Sequence, residues 1–359
     1  MRLHAITVRK GDAQALRELL GELRLIDGKH RPASAPFAIS FPLSREPDMG
    51  ETLHLKKRFP KLEFSIAAFE PYLSRPKSLK DALRGKLTET ETKNLVTSFD
   101  TLGDIAIIEI PKELSKKEKA IANALLESNP RIKTVCKKAS ARKGKYRAQK
   151  LTIIAGKRKK IAEYRESNCL FKFHVEKSFF SPRLGTERLR ISKLIKKDEV
   201  VAVLFAGVGP FAIVFAKNSK MKKAYAVELN PNAAKDMEQN IKLNKVEGRV
   251  IPFLGDVREV VPAKLKGKCD RVVMPLPKDA HHFLEDAFMC LNPLRGGVIH
   301  FYTFVPRENM YREALSTIRG AASKHGCSIR VLRKRKVRSY SPDTVQVVVD
   351  FSAKRAKAN

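Results

Sequence analysis

The chain has no tryptophan and only five cysteines in its 359 residues. Those cysteines, Cys136, Cys169, Cys269, Cys290 and Cys327, are odd in number and widely spaced, with no Cys-x-x-Cys. The spacing argues against a disulfide framework and a zinc cluster, and predicts reduced thiols in a cytoplasmic protein with no bound metal. Acidic residues are scarce too: 38 Asp and Glu stand against 72 Lys and Arg, for a net charge of +34. The uncharged run from Val200 to Ala216 has seventeen residues and Gly-Val-Gly-Pro in its middle. It falls short of the ~20 residues of a membrane helix, so no membrane partner is expected. The opening MRLHAITVRKGDAQALRELL lacks the continuous apolar segment of a signal peptide.

A chain this basic attracts polyanions over long range, and the charge is spread through ordered-looking segments rather than gathered in a tail. Nucleic acid is the natural partner; adaptation to an unusual cytoplasm and simple surface solubility are alternatives that composition does not separate from it. With 43% hydrophobic residues the chain is globular, and its length allows two or three domains with their own cores.

Residues 1–68 alternate strand patterns, LHAITV and FAISFPL, with an amphipathic helix over 12–23 that carries Leu16, Leu19, Leu20 and Leu23 on one face. A polar, proline-punctuated stretch from Pro71 reads as a linker followed by a surface helix. GDIAIIEIP and IKTVC read as strands flanking a helix, with Ser115 as its N-cap and Glu118 completing a capping box. A cation-rich hairpin follows, ending in LTIIAG and carrying Tyr146. That combination suits phosphate and base contact, and equally suits a charged edge that blocks strand pairing.

From Phe180 onward strands and helices alternate, which predicts a mostly parallel sheet covered on both faces. CSIRVLRKRKV and DTVQVVVDF then add a closing hairpin, the ending of a methyltransferase-type Rossmann sheet rather than of a dinucleotide dehydrogenase. Ligands of open parallel sheets bind at the carboxyl ends of the strands. The candidates there are Phe205, Gly207 and Gly209 in the first turn, Glu228 after the second strand, Asp256 and Val257 after the third, and Met274 to Pro277 after the fourth. Glu228 is placed to bind ribose hydroxyls and Asp256 the amine of adenine. In SFFSPRLGTERLRISKLI, Glu187 falls on the first turn of a helix, where an ordinary acid favoured by the macrodipole is the alternative.

At FSPRLGTERLR, FAGVGPF, ELNP, NIKLNKV, GDVRE, MPLPKDAHHFL and GGVIHFYTF the sequence resembles the archaeal and eukaryotic-type tRNA guanine-N1 methyltransferases. The resemblance implies a class I methyltransferase Rossmann-like domain over 167–359, preceded by a tRNA-recognition domain over 1–68 and a middle RNA-contacting α/β domain over 72–166. It implies a monomer that methylates guanosine 37 of tRNA with S-adenosylmethionine. Glu187 matches the family's general base and Arg147 the arginine that stabilises guanine O6, with Arg183, Tyr146 and Pro275 on the substrate side and Pro275 also beside the cofactor. Val203 stands where the family usually has an aspartate, and Pro275 where it commonly has the asparagine of Asn-Leu-Pro. Two further readings are a wybutosine-pathway methyl or aminocarboxypropyl transferase on the same scaffold and a non-catalytic tRNA-binding paralogue.

Overall fold

The structure is a computed structural model that describes residues 2–72, 76–140, 144, 146 and 149–355. It divides into two compact units, Met1–Pro76 and Lys77–Asn359. In the first unit, strands β1 (Arg2–Arg9), β2 (Ala33–Ser34), β3 (Ala38–Pro42) and β4 (Glu63–Ala68) form an antiparallel sheet in the order β2-β3-β1-β4. Helix α1 (Ala13–Glu22) buries Leu16, Leu19 and Leu20, the face its leucine spacing foretold. Helix α2 (Met49–Arg58), not read from the sequence, begins with a capping box between Asp48 and Glu51.

The second unit opens with two short surface helices, α3 (Leu79–Ala82) and α4 (Glu89–Lys93). Strands β5 (Phe99–Leu102), β6 (Ile105–Ile108), β7 (Thr134–Lys138) and β8 (Leu151–Gly156) then form a sheet in chain order, with α5 (Glu118–Ser128) crossing between the parallel pair β6 and β7. Ser115 does not cap α5. It lies inside a 3-10 turn, Lys112–Lys117, which starts where Leu114 N–H bonds Pro111 O and buries Leu114. The helix therefore starts later than the capping-box pattern indicates.

Next comes a hairpin, β9 (Ile161–Glu166) and β10 (Cys169–His174), which spans the expected boundary at 166/167. The remaining strands β11 (Val200–Leu204), β12 (Lys223–Glu228), β13 (Val250–Leu254), β14 (Arg271–Met274), β15 (Gly297–Pro306), β16 (Cys327–Ser339) and β17 (Thr344–Arg355) form one sheet. Its order is β13-β12-β11-β14-β15-β17-β16. The first five are parallel and β16–β17 close it antiparallel, the closing hairpin foreseen above. The helices α6 (Gly185–Ser192), α7 (Pro210–Asn218), α8 (Pro231–Leu243), α9 (Val257–Val260), α10 (Leu284–Cys290) and α11 (Arg312–Lys324) follow in alternation. β11 is apolar throughout because both of its faces are covered; Val203 is fully buried in the apolar cluster that also contains Val273 and Tyr302.

Helix α8 ties the hairpin to this sheet. Asp236, Asn240 and Asn244 recur every four residues, about 6 Å along a helix, while the amides of His174, Lys172 and Leu170 recur every two residues, about 6.6 Å along a strand. The two spacings nearly match, and the side-chain oxygens accept those amides at 3.3, 2.7 and 2.9 Å. Asn240 also donates to Val208 O, inside the glycine turn, at 3.1 Å. Gly209, at φ +86°, ends that turn, and a Cβ there would meet Met237 Cγ at 2.9 Å.

Asn240→Ala leaves both the Lys172 amide and the Val208 carbonyl without this partner. We expect a stability loss of about 2–3 kcal/mol, read as a lowered denaturant midpoint with an unchanged slope; a midpoint within error of wild type would refute the anchoring role.

Candidate active site

Four strand ends meet at one edge of the seven-stranded sheet. Phe205 leaves β11 at φ +64°, Gly207 follows at φ +58°, and α7 starts with Pro210 after Gly209. Glu228, ending β12, joins this turn to the next: one carboxylate oxygen accepts Gly207 N–H at 2.6 Å and the other Asn230 N–H at 2.8 Å. Burial pushes the Glu228 carboxyl up, and these backbone bonds oppose the shift. Asp256 caps α9 by accepting Arg258 N–H at 3.0 Å, and its carboxylate forks with the Arg258 guanidinium at 2.9 and 2.6 Å. Arg258 lies over the ring of Phe283, which packs edge-on to Phe205 at 4.8 Å. Val257 is buried beneath. A glycine turn without Cβ bulk, a carboxylate at the end of β12 and an aromatic wall fit an adenosine-containing cofactor.

Glu187 sits on the first turn of α6, 3% exposed. The helix is held by Arg188, itself buried, whose guanidinium forks onto Glu166 at 2.5 and 2.7 Å. Oε2 of Glu187 accepts Arg190 Nε at 2.9 Å and the Tyr302 hydroxyl at 3.1 Å. Burial, then Glu187, push the Tyr302 phenol well up, so it donates. Oε1 has Arg335 Nε at 2.9 Å, out of line for a hydrogen bond. Arg190 continues to Asp350 at 2.6 and 3.3 Å, Asp350 accepts from His300 Nδ1 at 2.6 Å, and Arg271 lies 2.7 Å from His300 Nε2. Arg271 forks onto Glu199 at 2.8 and 3.1 Å.

An arginine only donates, so His300 Nε2 must accept and the ring is neutral, with its proton on Nδ1. Burial, the largest cause, pushes the imidazole down accordingly. Burial acts to raise the Asp350 carboxyl, but the bonds from His300 and Arg190 outweigh it and hold it at about 2.

Beside this chain of charges lies a cavity of about 920 Å³ within the second unit. Arg183, Leu184, Pro275, Pro277, Arg338 and Gln346 are among its walls. Arg183 is paired with Asp100 at 2.7 Å, and Tyr340 packs on Phe304 with centroids 4.4 Å apart. Glu187 is not in the wall; Leu184, three residues earlier, is. Glu228 and Asp256 also lie outside it, at neighbouring strand ends. Tyr146 is described and exposed, whereas Arg147 lies outside the described residues. Sequence reasoning missed His300, Asp350, Arg190, Arg338 and Gln346. A lone His or Asp inside an otherwise apolar strand, as in GGVIHFYTF and VVVDF, was the available signal.

Residues 162–330 match the TRM5/TYW2 methyltransferase domain and residues 79–159 the TYW2 N-terminal domain. A tRNA (guanine(37)-N(1))-methyltransferase Trm5b of Pyrococcus abyssi is 39% identical over 349 residues, 97% of this chain and 98% of the relative. The chain belongs to the TRM5/TYW2 methyltransferase family. It is accordingly a methyltransferase-fold enzyme, and the family's solved structures share its architecture. A complex of aTrm5 with tRNALeu superposes with a TM-score of 0.72 at 31% identity, covering 97% of this chain and 99% of that one. A tRNA(Phe) (4-demethylwyosine(37)-C(7)) aminocarboxypropyltransferase of Methanocaldococcus jannaschii is 34% identical, over 72% of this chain and 98% of the relative.

The neutral His300 generates a prediction. Its pKa is below the ordinary 6.5 in the folded protein, so the unfolded chain binds the extra proton first. The stability it contributes is complete above about pH 6.5 and is lost as pH falls through the lower folded value. Wild-type melting temperature should therefore drop between pH 7.5 and 5.5. His300→Gln, which can still donate to Asp350 and accept from Arg271, should flatten that drop; an equally steep fall in the variant would overturn the assignment.

Proposed function

We propose that this protein methylates N1 of guanosine 37 in tRNA with S-adenosylmethionine. The observation that carries this reading is the match to the Pyrococcus abyssi relative over 97% of the chain, which includes the first unit. The three-part division expected from the sequence goes with it: residues 1–68 for tRNA recognition, 72–166 beside the RNA, and 167–359 for chemistry. The basic surface suits a polyanionic partner; β16 alone carries Arg330, Arg333, Lys334, Arg335, Lys336 and Arg338. Among the described residues no helix is long and apolar enough to cross a membrane.

When bound, S-adenosylmethionine supplies an electrophilic methyl group. Glu228 holds the ribose hydroxyls, the backbone of the turn from Phe205 to Gly209 borders the amino-acid end, and Asp256, Val257 and Pro275 border the adenine. Guanine N1 is a weak acid and becomes nucleophilic only as its proton leaves. Glu187 takes that proton, on Oε1, the oxygen without a hydrogen-bond donor; Arg335, 40% exposed on the β16 edge, is the neighbour that gives way. Arg147 balances the charge that grows on O6, and Arg183 and Tyr146 contact the substrate.

The aminocarboxypropyltransferase relative and the match at 79–159 favour one other reading, transfer of the cofactor's aminocarboxypropyl group to the same nucleoside position. Mass spectrometry of position 37, after incubation with methyl-labelled or carboxyl-labelled cofactor, separates the two. A methyl group on guanosine 37 is expected. Label from the carboxyl end would select the second reading, and no label from either would leave a tRNA-binding paralogue.

Glu187→Gln should lower the single-turnover rate by about 10² or more while tRNA and cofactor affinity are kept; a wild-type rate would remove Glu187 as the base. Glu228→Gln exchanges a charged acceptor for an amide that can accept on one side only. Cofactor affinity should fall by about tenfold or more in calorimetry, and an unchanged Kd would move the ribose site elsewhere.

A further inference from the structure

The geometry points to Gln346 as the residue that holds the target base by its carbonyl edge, in place of the side-chain amide that Pro275 lacks. This inference rests on the proposed reaction at guanosine 37. Gln346 stands in β17 between Val345 and Val347, opposite Phe304 of β15 and Arg338 of β16. It is 1% exposed and forms part of the wall of the 920 Å³ cavity together with Pro275 and Pro277. Arg338 Nε donates to its Oε1 at 2.8 Å. An arginine has no acceptor, so this bond fixes which end of the amide is which.

The NH2 end is then left over: among the described residues Gln346 Nε2 is buried with no hydrogen-bond partner. A buried amide donor left unpaired is costly and rare. At the wall of a cavity it signals a missing acceptor. The neighbourhood suits a planar base. Tyr340 and Phe304 form an aromatic wall, and Phe304 N–H bonds Pro277 O at 3.1 Å, which ties the strand bearing Gln346's partner to the loop bearing Pro275. Proline at 275 has no side-chain donor, so a donor for guanine must come from another element, and Gln346 is a buried, oriented one.

Guanine O6 is the acceptor whose negative charge grows as the N1 proton leaves. A fixed donor on O6 therefore binds the transition state more strongly than the ground state. Gln346 touches the base; Arg338 acts through it, as a positioning residue.

The test is single-turnover methylation of guanosine-37 tRNA by the full chain, with cofactor affinity and melting temperature measured alongside. Gln346→Glu keeps the shape and pairs with Arg338 but offers no donor; Gln346→Leu removes the unpaired donor altogether. Gln346→Glu should melt no lower than wild type, whereas Gln346→Leu also takes the acceptor from Arg338; both should keep cofactor affinity while the rate falls about 10²-fold. With 6-thioguanosine at position 37, whose sulfur is a poor acceptor, wild type should slow more than the variants, which keep only the Arg147 contact to that atom. Variants within about twofold of wild type, or a thio penalty equal in variant and wild type, would overturn the assignment of Gln346 while leaving the reaction standing. A wild-type protein that binds cofactor and tRNA but transfers no methyl group would defeat the proposed reaction itself, and this inference with it.

Discussion

A line of buried polar and charged groups runs beneath the seven-stranded sheet: Glu199, Arg271, His300, Asp350, Arg190, Glu187. Burying charge costs several kcal/mol per ion unless each group is paired and its remaining hydrogen-bonding sites are filled. Here donors and acceptors alternate, with neutral His300 converting the donor Arg271 into a donor toward Asp350. The members come from α6, the turn before β11, β14, β15 and β17, so the line requires those elements to be in register. Removing one member leaves its neighbour charged and alone, and such losses run to about 3–5 kcal/mol. The rotamer of the proposed base is set by Arg190, one turn along its own helix, and by the Tyr302 hydroxyl on β15.

A second constraint sits on the other face of the glycine turn. Asn240 bonds both β10 and Val208, and Glu228 bonds Gly207 and Asn230. The turn is thus gripped from the helix side and from the neighbouring strand before any ligand arrives. Its unusual backbone, with Phe205, Gly207 and Gly209 all at positive φ, is affordable because these bonds compensate for it.

Most of the sheet was legible because its signals are local. The apolar run of β11, the glycine turn and the acid after β12 lie within thirty residues of one another, and periodicity separates strand from helix there. The hairpin at 161–174 was not read, because IAEYRE mixes charges into a strand whose one face is partly exposed. Ser115 misled because a capping pattern says nothing about a 3-10 turn wound ahead of the helix. Glu187 was legible from a resemblance, but its partners were not: Tyr302 and Asp350 lie 115 and 160 residues away from Glu187 and Arg190 respectively. Gln346 was hidden among valines, where only the register against Arg338 and Phe304 gives it meaning.

The stripe of Asp236, Asn240 and Asn244 also orders events during synthesis. β10 leaves the ribosome long before α8, with 62 to 74 residues between bonded partners. At roughly 5–20 residues per second the nascent hairpin waits about 3–15 s for the helix that covers its edge. During that interval its unpaired amides face solvent or whatever strand is near. The middle sheet can already be complete, so the vulnerable moment falls between two halves of one chain, and a chaperone is most useful there.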